Sequence, residues 1–89
     1  MLDDTEIRYH RDRYRGPHAD MMIEHAMAEA QRYVDDHASQ FLSSVQQGIY
    51  RAVFLRVLQP DPGERQNLMG TIQCLMELGR RVNENRISD

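Results

Sequence analysis

The run Pro60-Asp61-Pro62-Gly63 constrains this chain more than any other feature, because it stops one helix and starts another within a few residues. Pro60 has no N–H to donate, and its ring disfavours α geometry at Gln59, so a helix arriving from upstream ends there. Asp61 is placed to act as an N-cap, with Pro62 at the first helical position and Glu64 three residues after the cap. This is a capping-box arrangement with aspartate in place of serine or threonine. Beyond it, Leu68, Ile72, Leu75, Gly79 and Val82 recur at steps of four and three on one helical face, widened by Met69 and Met76. The spacing predicts a helix over about 62–83, with Arg80, Arg81 and Arg86 near its end complementing the helix dipole.

Upstream of the turn, Leu42, Val45, Ile49, Ala52 and Val53 define an apolar face on a helix over about 38–59. Tyr50, Phe54, Val57 and Leu58 add apolar surface on its other sides, and a helix apolar nearly all round wants cover from several directions. Earlier still, Met22, Ala26, Ala30 and Tyr33, with Ile23, Met27 and Val34, form a stripe on a helix over about 18–35. Asp35-Asp36-His37 lies between these two stripes. None of the three forbids helix, but one unbroken helix through 59 would run roughly 60 Å, so a bend or break is expected there. Residues 1–16 read as a polar Arg/Tyr-rich arm or a short helix.

No strand pattern competes, so the fold class is all-α. The expected architecture is a three-helix assembly with an antiparallel helical hairpin, residues 17–89 forming a single domain. With 89 residues it buries only about 60–65% of its unfolded surface. The single cysteine, Cys74, cannot form an internal disulfide; set among Ile72, Leu75 and Met76, it reads as a buried structural thiol. Completion of the fold by dimerisation or by a partner is therefore expected. Tyr50, Phe54, Val57 and Leu58 are the candidate partner-binding residues, since one neighbouring helix leaves them short of cover.

The catalytic classes find little support. Asp20 and Glu24, and His25 and Glu29, stand four apart, but the second Glu/His set that a helical-bundle metal site needs is missing. Ser39, Ser43 and Ser44 near His37 lack a nucleophile elbow. Gly63, Gly70 and Gly79 are isolated, and without lysine no phosphate-binding loop of the Gly-Lys-Ser/Thr kind exists. An enzyme, a metal and a cofactor are not expected. No segment approaches a membrane span, the acidic N-terminus lacks a secretory signal pattern, and a free thiol fits a cytoplasmic location.

A net charge of −3 argues against a general nucleic-acid binder, although all eleven basic residues are arginine. In Arg8, Tyr9, Arg11, Arg13, Tyr14 and Arg15, basic and aromatic residues interleave as in segments that contact phosphates and stack on bases. Asp3, Asp4, Glu6 and Asp12 compete for the same arginines. The sequence thus points to a small non-enzymatic protein-binding module and homodimer: an adaptor, assembly factor or inhibitor of the kind found among phage and mobile-element accessory proteins. It would act by occluding or bridging a partner protein. The alternative is a nucleic-acid-binding or regulatory protein that uses the arginine-rich arm.

Overall fold

The computed structural model describes residues 3–13 and 18–88, with side chains through 85. They form four helices: α1 (Asp4–Arg13), α2 (Ala19–His37), α3 (Ser43–Leu58) and α4 (Pro62–Ser88). The all-α class holds, and no strand occurs among the described residues. The helix count is four rather than three because the N-terminal segment folds as α1. Asp3 starts it, accepting the Glu6 N–H on Oδ1 at 2.8 Å and the Ile7 N–H on its carbonyl at 3.1 Å.

The turn at residues 59–61 forms as expected, with one difference in its cap. Asp61 Oδ2 accepts the Glu64 N–H at 2.9 Å, but the N–H of Asp61 donates to Gln59 Oε1 at 3.2 Å instead of to Glu64. The chain then returns antiparallel along α3. Leu75 meets Gly48, Phe41 lies against Gly79, and Asn83 donates to the carbonyl of Gln40 at 3.1 Å. The helix runs past the expected end at 83, so Arg80 and Arg81 sit before its last turn. They pair with Glu77 at 3.0 and 3.3 Å rather than with the helix terminus. The hydrogen bond from Arg80 is the main cause holding the Glu77 carboxyl below its usual value.

The break between α2 and α3 falls downstream of Asp35-Asp36-His37, which remain helical. The connection is Ala38–Leu42, a segment with neither proline nor glycine. Ala38 is buried, the Ala38 N–H donates to the Val34 carbonyl, and the Gln46 amide donates to the carbonyls of Ser39 and Phe41. The residue before α3 is Leu42, without a side-chain cap. Phe41 leaves the helical path to lie on α4, which accepts it because Gly79 has no side chain.

A Cβ at Gly79 would stand 2.5 Å from the Phe41 ring, whereas one at Gly70 would meet nothing within 4 Å. Two substitutions separate the cases. Gly70→Ala should stabilise the chain by about 0.5–1 kcal/mol through helix propensity alone. Gly79→Ala gains the same amount but must displace the ring, an overpacking cost of about 1–3 kcal/mol. Urea midpoints are expected to rise for the first and fall for the second. A rise for both would show that the Phe41 contact is absent.

α3 is the centre of the molecule. α2 and α4 pack on it but not on each other, and α1 lies across α2. The core joins Ile23, Ala26, Ala30 and Val34 of α2 to Val45, Ile49, Ala52, Val53 and Phe54 of α3 and to Ile72 of α4. Ile72 is the one buried side chain among residues 62–85. Cys74, two residues on, points to the opposite face and is exposed, which corrects the buried thiol expected from its neighbours.

Candidate functional site: the groove at Arg56

The four residues expected to lack cover are distributed differently from that expectation. Tyr50, Phe54 and Leu58 are 5%, 0% and 4% exposed within a single chain. α1 supplies cover at Phe54: the His10 ring meets Phe54 edge-on at 5.2 Å, Ile7 packs against the core, and Glu6 pairs with Arg51 at 2.8 Å. Burial pushes the Tyr50 phenol above its usual value. The physical reason for seeking a partner on Tyr50, Phe54 and Leu58 therefore falls away. Val57 alone of the four remains half-open, and it lines a cleft.

That cleft, of about 260 Å³, has Val53, Arg56 and Val57 of α3 as its floor and Glu29, Arg32, Tyr33, Asp36 and His37 of α2 as its wall. A second cleft of about 280 Å³ lies between Arg56 and the start of α4, lined by Pro62, Arg65, Gln66 and Met69. The two share Arg56, so the open side of α3 between α2 and α4 is a groove with one arginine on its floor.

Arg56 is half-buried, its Nε is shut off from solvent, and that N–H has no acceptor among the described residues. No ion pair engages its guanidinium among the described residues. A desolvated donor without an acceptor carries a penalty of about 1–3 kcal/mol, larger when charged, until an acceptor arrives. Around it Arg32 is paired with Glu29, while Asp36 lines the α2 side and Arg65 the α4 side. The groove floor therefore offers positive charge beside aliphatic surface. Arg56 carried no signal as a site in the sequence, where it only interrupts an apolar run; its neighbours are assembled by packing.

The described arm residues fall on two sides of α1. Arg8 and Arg11 lie on one side of α1, where Arg11 pairs with Asp20 at 2.7 Å, while Arg13 donates to the Tyr9 hydroxyl at 3.4 Å on another. Tyr14 and Arg15 lie outside the described residues. No group of three or more His, Cys, Asp or Glu is gathered for a metal among the described residues, and no described helix is long and apolar enough to cross a membrane. No protein family, curated protein or solved structure matches the chain.

Proposed function

We propose that the chain is a non-enzymatic protein-binding module that occludes or bridges a partner protein by seating an acidic segment of it in the groove at Arg56. One observation carries this reading: a half-buried guanidinium, with no ion pair among the described residues, on the floor of a groove that α2 and α4 leave open. Arginine and tyrosine in partly desolvated pockets are the residues that dominate binding energy at protein interfaces. The aliphatic floor from Val53 and Val57, with Met69 opposite, gives such a segment something apolar to cover. A carboxylate reaching Arg56 would make the charge-assisted contact that guanidinium forks favour. The adaptor, assembly-factor and inhibitor roles all remain compatible with this surface. The arginines of α1, divided between two sides and partly engaged, give the nucleic-acid alternative less support.

The test compares what co-purifies with the native chain and with two variants. Arg56→Glu places a carboxylate where the partner's would sit, and Arg81→Glu makes the same change on the outer side of α4. A stoichiometric protein held by the native chain and by the Arg81 variant, but weakened at least about 30-fold by Arg56→Glu at unchanged melting temperature, supports the reading. If the protein lost is a second copy of this chain, seen as a dimer falling to monomer by light scattering, the occupant is the chain itself. Equal retention by all three proteins rejects the groove.

A further inference from the structure

His10 is the only buried polar side chain among the described residues, 6% exposed, and it belongs to the helix least firmly held by the rest of the fold. Of α1 only His10 is buried and Ile7 packs half-buried against the core; Glu6 is also half-buried, and every other residue from Asp4 to Arg13 is exposed. Two further ties are the ion pairs Glu6–Arg51 and Arg11–Asp20, of the solvent-facing kind that adds little. The docking of α1 thus rests on two inward side chains, one of which can take up a proton.

The His10 ring sits edge-on to Phe54 at 5.2 Å and to Tyr9 at 5.2 Å, and its Nδ1 is buried without a partner. Beside it opens a cleft of about 530 Å³, lined by Asp3, Thr5, Glu6, Tyr9, Arg13, Arg51 and Leu55, which leads solvent to the edge of α1. We propose that α1 is a releasable cap, docked while His10 is neutral and set free from Phe54 when His10 is protonated. A protonated ring in this place would put a charge and an unpartnered N–H against an aromatic core.

The charged groups around the ring do not rescue it. Desolvation is the main effect and pushes the His10 pKa below its ordinary value; Arg13 and Arg51 add to that, while Glu6 opposes. Glu6 is itself engaged by Arg51. From α2, Asp20 is taken by Arg11, and Glu24 lies on the far side of α1 beside Ile7, Arg8 and Arg11.

The sign follows. Well above pH 6.5 the ring is neutral both docked and free, and the cap has its full stability. As pH falls below 6.5, the free ring binds a proton before the docked ring does, so release is favoured. The docked-to-released ratio falls by up to about tenfold per pH unit, the limit for one proton, until the docked ring also titrates.

The decisive experiment is NMR of the full chain between pH 7.5 and 5. In the native protein the amide resonances of residues 4–13 are expected to move towards unfolded positions as pH falls, while those of α3 and α4 stay helical. The His10 ring should titrate below 6.5 in the docked state. In His10→Phe, which keeps an aromatic ring against Phe54, the cap should remain docked throughout; His10→Gln, neutral at every pH, should show a constant docked fraction even if its packing is poorer. An α1 that stays docked in the native protein down to pH 5, or one released over the same range in the native protein and both variants, overturns the proposal.

Discussion

Phe54→Ala is expected to remove about 3–5 kcal/mol of stability, most of what a domain of this size has. Phe54 is fully buried at the junction of α1 with α3, and its ring is the surface on which His10 rests. Truncation takes away the transfer energy of an aromatic ring and leaves a cavity that α1, α2 and α3 cannot all close. The loss of α1 docking comes on top, so the variant should fall short of two-state behaviour, with residues 4–13 released before α2–α4 unfold. Urea titration followed by circular dichroism measures the total. A loss under about 1 kcal/mol, as for exposed side chains, would restore Phe54 to the open surface expected from its position on an all-round apolar helix.

Ile72→Ala should cost about 2–5 kcal/mol, and the damage should concentrate in α4. That helix has 27 residues, and Ile72 is the one buried side chain among residues 62–85; Leu68, Met69, Leu75, Met76 and Val82 are only half-covered. Its hold on α3 therefore passes largely through Ile72, with help from Gly79 under Phe41. Leu78, 49% exposed, provides the control: Leu78→Ala should change stability by less than about 0.5 kcal/mol. Hydrogen exchange in α4 should accelerate far more in the Ile72 variant than in the Leu78 variant. Equal effects at the two positions would mean that α4 is not anchored as described.

The stripes that form the core were legible because burial follows helical period: Ile23, Ala26, Ala30 and Val34 are inside, as are Val45, Ile49, Ala52 and Val53. Periodicity is weaker at the edges of a stripe. Met22 and Leu42, counted with their stripes, are 43% and 39% exposed. Cys74 was misread because its neighbours in sequence are apolar, although a residue two positions from Ile72 faces away from it. The groove at Arg56 could not be read at all, because its walls come from three helices and no local spacing relates them.

The turn at Pro60-Asp61-Pro62-Gly63 was determined by the sequence alone. A missing N–H, a fixed φ and a capping carboxylate act on residues within one turn of one another, so no other part of the chain is needed. The tertiary structure decided two other matters. It placed the α2–α3 break at Ala38–Leu42, where no residue breaks a helix, and there Phe41 lies on Gly79 of α4. It also covered Phe54, by folding a ten-residue segment, polar except for Ile7, into a helix that turns Ile7 and His10 inward. Both outcomes depend on contacts between residues remote in the chain. Their free energy appears only when the helices meet, and the surface left over after they meet is the groove at Arg56.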